Sequence, residues 1–226
     1  MSRLAFKGMM MFKTMMLTAA FGFSATAALA APTLSKDGAV TSVAKQPFTS
    51  GFYHVHVPKG GTVIFDSIGS GGYNCCSGWT VSAAGSVIGE QFWPAIQITP
   101  TSSGKVTEIE AGVGYVTGTN SAELAIYKDA SGVPGKMIWS ADADNLPVFG
   151  STSTSTVTAK VTKVKLKANT PFWVAVQTDA NSPDTWDAWN QSETTDATLA
   201  ENDGSGWTNE GNTTAGAVTL LGKLKK

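Results

Sequence analysis

Residues Asp184 to Asn190 read DTWDAWN, and they are the run of this chain in which side-chain types and spacing most suggest chemistry. Trp186 and Trp189 offer flat apolar rings beside the carboxylates of Asp184 and Asp187 and the amide of Asn190. A ring that stacks and polar groups that orient are what a sugar-binding surface uses, so Trp186, Asp187, Trp189 and Asn190 form the candidate ligand site. The competing reading places the tryptophans as core plugs beneath long loops of a β-sandwich.

Other constellations are weaker. Cys75 and Cys76 are adjacent and are the only cysteines. Neighbouring Cα atoms lie about 3.8 Å apart, short of the roughly 4.4–6.8 Å of an ordinary disulfide. A vicinal disulfide, intermolecular pairing and two free thiols stay open, with export favouring the first as a rigid kink or a redox-active bridge. His54 and His56, two apart on an expected strand, share a face, but no third metal ligand accompanies them. Asp142, Asp144 and Asn145 offer oxygens to a structural calcium, as do Asp184 and Asp187, yet neither run matches a defined calcium loop. The expected cofactor is otherwise none.

Catalysis has thin support. A nucleophile elbow is absent, and the two histidines sit on one short stretch without a traceable serine and carboxylate. Glu90, Glu108, Glu110, Asp184 and Asp187 supply carboxylates for a glycoside hydrolase, as any acidic β protein would.

The elements that must position these residues are strands. Residues 1–30 read as a signal peptide: Arg3, Lys7 and Lys13 give a basic start, Met15 to Phe23 an apolar run, and Ala28-Leu29-Ala30 a small-x-small cleavage pattern. The apolar run is too short to span a membrane with margin, so secretion or periplasmic release after Ala30 is the expectation. Cleavage leaves 226 − 30 = 196 residues, and losing three of 16 cations leaves 13 against 17 anions, a net charge of −4. That balance gives no footprint for nucleic acid or an anionic membrane. Residues 31–226 then suit one all-β domain, an antiparallel two-sheet sandwich of jelly-roll type.

Within it, Thr107 to Tyr115 alternates with period two, Leu124 and Ile126 oppose Glu123 and Tyr127, and Asp129 to Gly135 reverses the chain before Met137 to Trp139. The reading is a three-strand meander. Phe52–Val57 and Thr62–Asp66 suggest a hairpin, Ser67–Gly78 a glycine-rich loop, and Pro94 an edge or bulge position. Val157, Ala159 and Val161 lie in odd positions and Val164 and Leu166 in even ones, which predicts a bulge near Thr162-Lys163. Phe172 to Val176 is a strand with Trp173 on its far face, Asp179 to Glu210 reads as loop-rich, and Ala215–Leu221 as the last strand.

The runs YNCCSGWTVS, TPTSSGKVTEIEAGVGYVTGTNSAELAIYKDASGVPGKMIWS, NLPVFG, NTPFWVAV and DTWDAWN resemble the exported bacterial β domains called choice-of-anchor proteins. The resemblance spans roughly Thr62 to Asn190 and implies a jelly-roll-like sandwich with a surface or matrix role. It also implies a second cysteine pair after Phe149-Gly150. Here Ser151 to Ser155 stand in that place, leaving the partner of Cys75 and Cys76 open. The tail, Thr219 to Lys226, carries neither a spanning helix nor a sorting motif, so a soluble or released form is expected. The functional expectation is a non-catalytic surface, matrix or glycan-binding module, with a secreted carbohydrate-active hydrolase as the alternative. Its expected partner is a glycan or a cell-surface or matrix component.

Overall fold

The computed structural model describes residues 32–35, 38–41, 57, 59, 61–70, 72–151 and 156–225. The expected signal peptide, His54 and His56, and the strand expected over Phe52–Val57 apart from Val57 lie outside them. Among the described residues every regular element is a strand. No helix there is long and apolar enough to cross a membrane.

Two antiparallel sheets pack as a sandwich. The larger runs β1 (Thr33–Leu34), β2 (Ala39–Thr41), β4 (Tyr73–Ser82), β13 (Trp186–Asn202), β5 (Trp93–Ile98), β12 (Phe172–Gln177), β8 (Ser121–Asp129) and β9 (Pro134–Asp144). Both β7 (Val113–Thr117) and β14 (Trp207–Gly216) also pair with β13. The smaller sheet runs β10 (Val157–Lys160), β6 (Gly104–Ala111), β15 (Val218–Leu224) and β3 (Thr62–Asp66), with β11 (Lys165–Leu166) also on β6. The main core fills the space between them, with Ile109, Leu124, Ile126, Val174, Trp189 and Leu220 among its buried members.

The organising strand is β13. Its first residues, Trp186 to Trp189, lie between β4 and β7; its last, Leu199 to Asn202, lie between β5 and β14. The loop expected over Asp179–Glu210 is therefore corrected to a short loop, a 17-residue strand and a hairpin. Threonines, serines and acids disguise this strand: Glu193, Thr194 and Asp196 in its middle are exposed, while Trp186 to Asn190 at its start are buried on both faces.

Other expectations change for similar reasons. Thr107 to Tyr115 is not one strand: β6 belongs to the smaller sheet and β7 to the larger, so only β8 and β9 form the expected hairpin. The chain turns the corner at Gly112, where a Cβ would stand 2.8 Å from the Tyr73 ring. A second crossing, β14 to β15, occurs at Ala217, and the Asn190 backbone ties both corners by bonding Gly112 and Ala217. Cys75 and Cys76 lie inside β4 rather than in a loop. Strand β3 pairs with β15. Pro94 stands in an interior strand rather than at an edge, paired with Glu201 on β13 and one residue beyond the last β12 pairing. The face switch near Lys163 is present as a break between β10 and β11, with Lys163 at φ 64° and Ala159, Val161, Val164 and Leu166 all in the core.

The outward face of the larger sheet holds a second cluster. Ala200, Ala95, Ala175 and Ala125 are consecutive cross-strand partners on β13, β5, β12 and β8. Trp173 and Tyr127 bury over that row, with half-buried Trp207 beside them. The Trp173 indole donates to Asp129 Oδ1 at 2.8 Å, and Tyr127 donates to Gln177 Oε1 at 2.6 Å.

Candidate functional site

The DTWDAWN residues are brought together on β13, but not as an open platform. Trp186 and Ala188 face a small cluster with Val40 and Phe149, whereas Trp189 faces the main core. Trp186 is 7 % exposed, Trp189 and Asp187 are fully buried, and Asn190 is 3 % exposed. Stacking of a sugar on either ring is therefore replaced by packing. The Trp189 indole donates to the Ala217 carbonyl at 3.0 Å, while the Asn190 amide donates to the Asn74 carbonyl at 2.9 Å. Both polar groups are spent on holding the sheet corner.

Asp187 is the odd member. It lies opposite Val81 on β4 and Tyr115 on β7, and no donor meets hydrogen-bonding geometry at either carboxylate oxygen. Desolvation raises its pKa to about 8, against the opposing pull of the Val116 backbone N–H. The Trp186 indole N–H and the Thr80 hydroxyl are likewise buried without partners.

Cys75 and Cys76 are joined to each other, with Cα atoms 3.8 Å apart. Asn74 Oδ1 accepts from the Cys76 N–H at 3.0 Å, and the Gly150 N–H donates to the Cys75 carbonyl at 3.0 Å. The segment after Phe149 thus passes beside the cysteine pair; residues 152–155 lie outside the described ones.

Asp142 and Asp144 are exposed at the end of β9, and Asn145 follows the strand at φ 57°. Burial and the nearby charges of Asp179, Glu123 and Asp144 raise the Asp142 pKa. These carboxylates repel one another, and among the described residues no three acidic, histidine or cysteine side chains converge to hold a metal. The carboxylates considered for hydrolysis are spread widely: Glu108 and Glu110 on β6, Glu90 and Asp184 in loops, Asp187 in the core. Asp184 is fixed by the Thr119 hydroxyl and N–H, which lower its pKa.

One open concavity is a feature that sequence reasoning missed. A cleft of about 310 Å³ lies along the β13–β14 hairpin, lined by Trp79, Leu199, Glu201, Asp203, Thr208, Glu210 and Thr213. Glu201 pairs with Thr208 and Leu199 with Gly211, so these residues share one face, with a bulge at Glu210. Trp79 and Leu199 make an apolar floor that belongs to the main core, and the Trp79 indole N–H is taken by the Thr214 carbonyl. The Ser205 hydroxyl and N–H donate to Asp203 Oδ1 and hold its pKa below the usual carboxylate range. Gly38, at φ 75°, lets the β1–β2 turn approach Glu201: a Cβ there would come within 3.2 Å of the carboxylate. The lining carries acids and hydroxyls and no base, which suits a ligand rich in hydroxyl or ammonium donors. The signal was present in the run Asn202-Asp203-Gly204-Ser205-Gly206, a turn between two alternating segments.

No family model, no curated protein and no solved structure matches this chain.

Proposed function

We propose that this protein is an exported, non-catalytic surface or matrix module of the choice-of-anchor kind that binds a glycan in the β13–β14 cleft. The observation that carries this reading is the juxtaposition of Glu201, Asp203, Glu210, Thr208 and Thr213 around the apolar floor of Trp79 and Leu199. Sugar recognition needs such a mixture: apolar carbon faces against a hydrophobic floor, and acceptors arranged for hydroxyl protons. Asp203 stays charged because its partners are built into its own turn, so it acts as a fixed acceptor.

A hydrolase on the same cleft is the second reading, favoured by one feature. Glu201 and Glu210 come from the two strands of the hairpin and both line this cleft, so two carboxylates face one concavity, as glycoside hydrolysis requires. Against it, the carboxyl that burial keeps protonated near neutrality is Asp187, which is enclosed in the sheet stack.

The test is glycan-array binding by the mature chain beside Thr208→Ala/Glu210→Ala, two exposed changes. Expected is a glycan signal that the double variant lowers at least tenfold while its unfolding transition is unchanged. A wild type that binds nothing on the array overturns the reading. Turnover of a bound glycan that Glu210→Gln abolishes replaces it with the hydrolase.

A further inference from the structure

The smaller sheet carries a row of like charges on neighbouring strands. Lys165 on β11 is the cross-strand partner of Lys105 on β6, and Lys105 is the partner of Lys223 on β15. Three ammonium-bearing side chains therefore stand in one row on three adjacent strands, about 4.8 Å apart at the backbone. Like charges directly opposite one another oppose pairing. All three lysines are exposed, and none has an ion pair among the described residues. The nearest acid along β6, Glu108, is opposite Lys160 instead.

The row lines a cleft of about 380 Å³ formed by Ser103, Gly104, Lys105, Lys165, Leu166, Lys223 and Lys225. A second cleft of about 400 Å³ shares Lys165 and adds Lys128, Thr170 and Phe172. Its one acid, Asp129, is already engaged by the Gln97 amide, the Trp173 indole and the Gly132 N–H. Asp129 keeps its charge, but the two clefts together carry five lysines against that one acid, and the shared Lys165 sets them side by side as an elongated track.

We propose that this track is a second binding site, independent of the β13–β14 cleft, for an acidic polysaccharide whose carboxylate or sulfate groups bridge Lys105, Lys165, Lys223 and Lys225. An extended chain suits two adjoining clefts better than a single small anion does. A glycan is favoured over a nucleic acid because no exposed aromatic ring is interleaved with the lysines to stack on bases.

The experiment measures binding of the mature chain to dextran sulfate and to polygalacturonate over a salt series. It is repeated with Lys105→Ala/Lys165→Ala/Lys223→Ala and with the charge-matched Lys59→Ala/Lys136→Ala/Lys160→Ala. Expected is wild-type binding that weakens steeply with salt, a loss of at least tenfold in the first triple variant and less than twofold in the second. The row variant should keep or raise Tm, because it removes like-charge pairs; if alanine lowers Tm, the Lys→Gln set takes its place. Equal losses in both triple variants, or no wild-type binding to either polymer at low salt, overturn the proposal. Tighter binding of oligo-dT than of both polysaccharides overturns it in favour of a nucleic acid. The β13–β14 residues are untouched here, so this result and that of the glycan array fail separately.

Discussion

Trp207 meets Tyr127 edge to face, with ring centroids 5.5 Å apart and planes at 70°. Within the larger sheet β14 and β8 are separated by β13, β5 and β12, a span of roughly 19 Å if the sheet were flat. The contact therefore requires the sheet to curl, with its outward face concave and the hairpin of β14 brought over β8. Asn209 confirms the closure by donating from its amide to the Gly132 carbonyl at 2.8 Å, in the turn between β8 and β9. The alanine row beneath is what lets the faces approach: no side chain beyond Cβ stands between the backbone and the indole of Trp173.

Truncating the bridging ring should open this curl. Trp207→Ala is expected to cost about 2 kcal/mol, from partial loss of burial plus loss of the edge-to-face pair, while Trp207→Phe retains most of that. Urea unfolding of the two variants beside wild type measures the difference.

Filling the alanine row should be as harmful as emptying a core. Ala175 is fully buried between Ala95 and Ala125, so Ala175→Leu has nowhere to place its added carbons and is expected to destabilise by about 1–3 kcal/mol. A shift of the denaturant midpoint to lower concentration checks it; an unchanged midpoint would mean that the row has free space above it.

Asp187 makes stability depend on pH in an unusual direction. Its folded pKa is about 8 and its ordinary value 3.8, so between them the folded protein keeps a proton that the unfolded chain has released. Its contribution to stability is accordingly lost as pH rises from about 4, with the loss levelling off above about 8. Each unit of displacement corresponds to about 1.4 kcal/mol as an upper bound. Asp187→Asn should remove that slope and raise stability at pH 7 by on the order of 2 kcal/mol. Chemical denaturation from pH 4 to pH 9 reads the slope directly, and parallel curves for the two proteins would rule the assignment out.

The sheet corner should tolerate no methyl group at Gly216. An added Cβ would stand 2.3 Å from the Trp189 ring, whose indole is anchored to the Ala217 carbonyl. Gly216→Ala is expected to lower stability by about 1–3 kcal/mol and to change the tryptophan near-ultraviolet dichroism.

Several features were legible in the chain alone because they depend on local periodicity. Leu124 and Ile126 inward with Glu123 and Tyr127 outward, Trp173 opposite Phe172 and Val174, and the face switch at Lys163 all follow from the two-residue repeat of a strand. Adjacency likewise excluded an ordinary bridge for Cys75 and Cys76. Partner choice was another matter, since a strand's own pattern says that one face is buried but not what it is buried against. Gly112 and Ala217, where β6 passes to β7 and β14 to β15, become corners only because Tyr73, Trp189 and the Asn190 backbone arrive there from distant segments. The same holds for the two candidate sites. Glu201 and Glu210 fall in a segment that reads as loop, and Lys105, Lys165 and Lys223 lie far apart in the chain; only long-range pairing sets them side by side. Composition and alternation determined an all-β chain; register between strands far apart in sequence decided which of its charges meet.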